Sequence, residues 1–106
     1  MAQKLTAHDT ALSALLSAEE RVEYDRAVEV LGARNRILEI IEEAREREDI
    51  SKKELADRAG LDPASVRRLL NSKTANPTAE SAIRLFSALR IKLNATLPSG
   101  DHIAIV

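Results

Sequence analysis

Arg67, Arg68 and Asn71 lie close together in a stretch whose apolar positions, Val66, Leu69 and Leu70, fall on the opposite side of a helix. Ala64 and Ser65 share that outer face one turn upstream. An arginine fork matches the paired acceptors of guanine, asparagine reaches base edges in the major groove, and both side chains also bond phosphate oxygens. Lys52, Lys53 and Lys73 flank the stretch in sequence and add ammonium groups suited to phosphates. The implied chemistry is recognition of duplex DNA, with Lys52, Lys53, Ala64, Ser65, Arg67, Arg68, Asn71 and Lys73 as the candidate contacts.

Two short helices must position those groups. Ser51 and Glu54 form an S-x-x-E capping box that starts the first, and Gly60 suits a left-handed stop. Asp62 caps the second, with Pro63 in the first turn, where its missing N–H costs nothing. Leu55, Ala56 and Ala59 mark the inner face of the first helix, and small residues at the turn allow close approach. This is a helix-turn-helix arrangement; an ordinary helical hairpin is the alternative.

From Ile50 through Leu89 the pattern I-S-K-K-E-L-A-D-R-A-G-L, a recognition helix and then N-S-K-T-A-N-P-T resembles the phage-repressor type of helix-turn-helix (Xre/Cro-CI). Many members of that group carry Glu where this chain has Leu70, paired with a basic residue on the first helix of the domain. The resemblance therefore implies an apolar contact here. The Pro63-Ala64 opening also lacks the Gln or Asn that many relatives use to read bases, which places readout on Arg67, Arg68 and Asn71.

The chain's 106 residues, 44% of them apolar, suit one domain with a modest core. No apolar run is long enough to span a bilayer and no leader pattern opens the chain, so a cytoplasmic protein without membrane contact is expected. There is no Cys, and the two His, His8 and His102, lie at opposite ends of the sequence. No metal and no other cofactor is expected. Catalysis finds no support either, because phosphate-loop, H-E-x-x-H and G-x-S-x-G motifs are absent. Glu42, Glu43 and Glu46 read as solubilising charges on an exposed helix face, so the expectation is a protein that is not an enzyme.

A net charge of -1 conceals an asymmetry. Residues 1–50 hold 7 basic and 12 acidic side chains, whereas residues 51–106 hold 9 basic and 5 acidic ones. Positive potential thus coincides with the helix-turn-helix.

Upstream, Thr6, His8 or Asp9 is expected to cap a short helix through Leu16, and Ser17 with Glu20 forms a second capping box. A break is expected near Ser17, and Gly32 is a further point where the helical period can bend or stop. Asn35 to about Glu48 then makes the first helix of the DNA-binding domain, packing Ile37, Leu38, Ile40 and Ile41. Thr78 caps a later helix whose Ala82, Ile83, Leu85, Phe86 and Leu89 face inward. Beyond it Ile91, Leu93, Ala95 and Leu97 alternate with polar residues, and HIAIV follows a Pro98–Asp101 turn, giving two strands. Those strands either fold onto their own helices or pair with a second subunit, and a homodimer suits the two-fold symmetry of operators.

The fold class expected is mainly α: a five-helix-type helix-turn-helix domain with extra N-terminal helices and a short C-terminal β-strand pair. Its divisions are residues 1–33 for partner binding, 34–90 for DNA binding and 91–106 as a dimerisation element. The layout as a whole, an LLSAEERVEYDRAV helix leading through IIEEARERE into the motif and then NPTAESAIRLFSALRIKLNATL, looks like the HigA-type antitoxins of toxin-antitoxin modules. That resemblance implies a dimer that binds its own operator and neutralises a RelE-like ribonuclease toxin. An acidic amphipathic segment complements a basic ribonuclease surface. Leu15, Leu16, Val22, Tyr24 and Val28 are the candidate anchors, with Glu19, Glu20, Glu23 and Asp25 as ionic contacts. The same apolar residues equally suit packing on the domain's own core. A stand-alone repressor and a protein inhibitor with vestigial DNA binding are the other readings.

Overall fold

The computed structural model describes residues 17–72 and 76–106. Among them the order is α1 (Ala18–Arg47), α2 (Lys52–Ala59), α3 (Pro63–Asn71), α4 (Ala79–Ala88), β1 (Asn94–Thr96) and β2 (His102–Ala104). The class is mainly α with a terminal antiparallel strand pair, as the periodicities predict. Contacts divide the chain into two compact units, Met1–Ala33 and Arg34–Val106, with α1 contributing to both. The expected helix ending at Leu16, with its cap at Thr6, His8 or Asp9, lies outside the described residues.

Each helix begins on a side-chain oxygen that accepts an otherwise unpaired backbone N–H. Ser17 Oγ accepts from Glu20 N at 3.2 Å, Ser51 Oγ from Glu54 N at 3.0 Å, Asp62 Oδ2 from Ser65 N at 3.0 Å and Thr78 Oγ1 from Ser81 N at 3.0 Å. At Ser51 the box expected from the sequence is only half made. The Glu54 carboxylate accepts from Arg58 at 3.0 Å on its own helix, an i,i+4 pairing.

The helix ends share a second device. After α1, α2 and α4 the residues Asp49, Gly60 and Arg90 adopt left-handed backbone, with φ of 55°, 69° and 59°. Each permits the paired bonds of a Schellman stop. Ile50 N donates to Arg45 O and Asp49 N to Glu46 O; Leu61 N donates to Ala56 O and Gly60 N to Asp57 O; Ile91 N donates to Phe86 O and Arg90 N to Ser87 O. In all three the residue just past the stop is apolar and turns inward. Ile50 is buried, and Leu61 and Ile91 pack partly buried on the core.

That core consists of Ile41, Ile50, Leu55, Ala56, Ala59, Val66, Leu85, Phe86 and Leu89. Ile37, Ile41 and Ala44 give α1 a core stripe at helical spacing, and Leu69, Leu70 and Ala82 pack around the cluster. Phe86 is core, as expected.

Four local expectations need correction. Gly32 neither bends nor ends the helix: α1 runs through it from Ala18 to Arg47, and nothing approaches the space a Cβ would occupy there. A helix-interior glycine costs about 1 kcal/mol, which the good helix formers on both sides offset. Ile40 is exposed because it lies to one side of the Ile37–Ile41–Ala44 stripe, and Ile83 is exposed because α4 turns Ala82, Leu85, Phe86 and Leu89 inward instead. The first strand is shorter than its alternation, since Ile91 is committed to the stop of α4.

The strands pair within the chain, Asn94 with Ala104, Ala95 with Ile103 and Thr96 with His102. Leu97 N donates to Asp101 O at 2.9 Å and Ile105 N to Leu93 O at 2.8 Å, which extends the ladder at both ends. Opposite residues share a face, so Leu93, Ala95, Ile103 and Ile105 lie together. Leu93 reaches the core, while Leu97, Ile103, Ile105 and Val106 are exposed.

A left-handed conformation strains a residue with a Cβ, so Arg90→Gly is expected to stabilise the fold by about 0.5–1 kcal/mol. Urea denaturation should show a raised midpoint at unchanged slope. A lowered midpoint would mean that the arginine side chain contributes more than its backbone costs.

Candidate nucleic-acid interface

The outer face of α3 is built by its two ends. Asp62 Oδ2 accepts both the backbone N–H of Ser65 at 3.0 Å and its hydroxyl at 3.1 Å, with Pro63 in the first turn. At the other end Ser72 N donates to Arg68 O at 2.9 Å. Val66 is buried and Leu69 and Leu70 pack on the core, which turns Ala64, Ser65, Arg67, Arg68 and Asn71 to the outside. On a helical wheel Ala64, Arg68 and Asn71 occupy the middle of that face, while Arg67 and Ser65 lie on opposite flanks.

Two of the candidate contacts meet. Lys52 Nζ, at the start of α2, donates to Asn71 Oδ1 at 2.5 Å, at the end of α3. The bond ties the two motif helices at the outer surface. It also takes one of the two lone pairs of the Asn71 carbonyl oxygen, leaving the second lone pair and the amide NH2 for an outside partner. Lys53 is exposed beside Lys52. Lys73 lies outside the described residues.

Arg68 also lines a groove of about 360 Å³ with Ser65, Leu69, Asn76, Thr78 and Ser81 among its walls. It therefore stands between the face of α3 and the capped start of α4. Arg34 of α1 reaches the same loop, with Nη1 donating to Asn76 Oδ1 at 3.4 Å.

Leu70 is partly buried against the core, as an apolar side chain at that position must be. One half-buried basic residue of α1, Arg45, takes its carboxylate partner from its own helix. Its Nε donates to Glu42 at 3.0 Å and its Nη1 to Ile50 O at 2.8 Å. Hydrogen bonding to Glu42 raises the Arg45 pKa against the opposing effect of burial. Through Ile50 O it braces the α1–α2 connection that sets where Lys52 begins.

Sequence reasoning missed Arg84 of α4. Its Nη1 donates to Ala59 O at 3.3 Å across the helix-turn-helix turn, and its Nε donates to Glu80 at 3.2 Å. The i,i+4 spacing from Glu80 was a readable signal, but the 25-residue reach to Ala59 was not.

The candidate partner-binding residues occupy the N-terminal half of α1. Glu19, Glu20, Val22, Glu23 and Val28 are exposed and Tyr24 is half-buried, while Leu15 and Leu16 lie outside the described residues. They do not form one stripe. Val22 shares a shallow pocket with Ala18, Glu19, Glu23 and Arg26, whereas Tyr24 and Val28 follow each other at i,i+4 on a different face.

Among the described residues no group of three or more His, Cys, Asp or Glu is placed to hold a metal ion, and no helix is long and apolar enough to cross a membrane.

A model of a family described as helix-turn-helix matches residues 41–95, just over half of the 106-residue chain. The match opens at the buried Ile41, takes in α2, α3 and α4, and closes within β1. Comparison with curated proteins and comparison with solved structures gave no match.

Replacing Asp62 by Ala removes the acceptor for both Ser65 groups and is expected to cost about 1 kcal/mol. Urea denaturation checks it. An unchanged midpoint would show that the start of α3 is held by packing alone.

Proposed function

The chain belongs to the helix-turn-helix family of DNA-binding transcription regulators, and we propose that it represses its own operon as a homodimer while neutralising a RelE-like ribonuclease toxin. The observation that carries the DNA-binding part is the coincidence of the matched region with the outer face of α3 and the Lys52–Asn71 bond beside it. Arg67 and Arg68 reach base edges, Ser65 and Asn71 donate to phosphates or bases, and Lys52 and Lys53 neutralise the backbone. No cofactor takes part.

Residues 34–90 are the DNA-binding part in this account. Residues 1–33 hold the toxin. In support, Val22, Val28, Val30 and Leu31 are exposed at 49%, 36%, 68% and 50% on the N-terminal half of α1, which lies outside the matched region. Glu19, Glu20 and Glu23 among them suit a basic ribonuclease. Residues 91–106 join two subunits, supported by the exposed Leu97, Ile103, Ile105 and Val106 and by strand edges that two strands alone leave open.

The double change Arg67→Ala, Arg68→Ala should sharply reduce preference among duplexes, since a bidentate arginine–guanine contact is worth about 1–3 kcal/mol of discrimination. Competition binding reads it. Lys53→Ala, which touches none of the base-reading side chains, should weaken all sequences alike and lower the salt slope by about 1. Undiminished preference in the double variant would remove this face from the mechanism.

Charge reversal at Glu19, Glu20 and Glu23 in the full chain should weaken capture of the basic product of the adjacent gene and leave duplex binding intact. Capture by wild type and variant alike would move the toxin surface elsewhere. No capture by wild type would leave a stand-alone repressor. Ile103→Asp with Ile105→Asp should shift sedimentation from dimer to monomer, and an equally stable dimer would place the subunit contact elsewhere.

A further inference from the structure

We propose that Arg84 is a positioning residue for DNA recognition: it clamps the turn between α2 and α3 to α4, and so sets the attitude of the recognition helix. The proposal rests on the DNA-binding reading above and adds to it a residue that does not touch DNA.

Three observations meet at this point. Arg84 is tethered on its own helix, with Nε and Nη2 both 3.2 Å from Glu80 Oε1. The tether orients the guanidinium before it reaches across, so less side-chain freedom is lost in the second contact. Nη1 then donates to Ala59 O at 3.3 Å, a carbonyl at the end of α2. Helix-end carbonyls lack an intrahelical partner and carry partial negative charge, so a cation is well placed there.

The third observation concerns Gly60. Its φ of 69° already favours glycine, and a Cβ built there would stand 3.2 Å from Arg84 Nη1. Glycine thus admits both the left-handed stop and the guanidinium that lies over it. Two residues later Asp62 caps α3. Any tilt of the turn is carried directly into the helix that presents Arg67, Arg68 and Asn71. Leu85 and Phe86 anchor α4 in the core next to Arg84, which gives the clamp a fixed base.

The test uses the full chain and a pool of random-sequence duplexes. Selection with the wild type defines its preferred duplex, and preference is the ratio of affinities for that duplex and for the unselected pool. Loss of one positive charge weakens both alike and leaves the ratio unchanged. Arg84→Ala should lower the ratio by about fivefold or more, as contacting groups couple at that scale. Amide hydrogen exchange supplies a readout that loss of global stability would not mimic. Gly60 and Leu61 should exchange faster while Leu55 and Leu85 keep their rates.

Should Arg84→Ala not fold, Glu80→Ala retains the guanidinium and removes its tether; it should show the same two changes at smaller size. An unchanged ratio in the folded variants, or core amides that accelerate as much as the turn, overturns the proposal. A wild-type chain that prefers no duplex fails the DNA-binding reading instead. The exchange at Gly60 and Leu61 then still decides whether Arg84 holds the turn.

Discussion

The left-handed helix stop is the constraint on which the rest of this fold depends. At Asp49, Gly60 and Arg90 one residue reverses the handedness of the backbone, closes two hydrogen bonds over the helix end and sends the next side chain inward. Ile50, Leu61 and Ile91 join the core in this way, so three chain reversals also contribute to burial. Three of the helices, α2, α3 and α4, are short, and the stops fix where α2 and α4 end while the core, the Lys52–Asn71 bond and Arg84 hold their mutual angles. Were the stops replaced by fraying ends, α2 and α3 would lose the fixed turn that separates them.

From that constraint the outer surface follows. Gly60 stops α2, Asp62 restarts the chain as α3, and Val66, Leu69 and Leu70 hold α3 against the core. The face left over carries two arginines, a serine and an asparagine in a half of the chain with excess positive charge. Lys52 joins it from α2 by its bond to Asn71. Long-range attraction and local hydrogen bonding are thereby provided by the same small area, a requirement for a protein that must first find DNA and then read it.

What was legible in the sequence was the chemistry of near neighbours. Ser17, Ser51, Asp62 and Thr78 announce helix starts because a cap needs only a side chain and an N–H a few residues on. Gly60 announces a stop because glycine is the usual left-handed residue. Asp49 and Arg90 make the same stop with no such mark, and their positions depend on Ile50 and Ile91 finding the core. Gly32 carries the mark without the consequence, because its neighbours sustain the helix through it. Arg84 was invisible for a related reason: its value lies in reaching Ala59, and no local pattern encodes that distance. Val22 and Tyr24 looked like members of one set in sequence, and helical geometry separates them.

The central claim is that α3 and the start of α2 together form the DNA surface. A titration of the full-length chain with a mixed-sequence duplex of about 20 base pairs, followed residue by residue through amide resonances, addresses it most directly. The account predicts shifts at Lys52, Lys53 and along Ser65–Asn71 that shrink as salt is raised, with the amides of Glu19–Val28 unmoved. Shifts confined to that N-terminal segment, or no shifts at low salt, would contradict it.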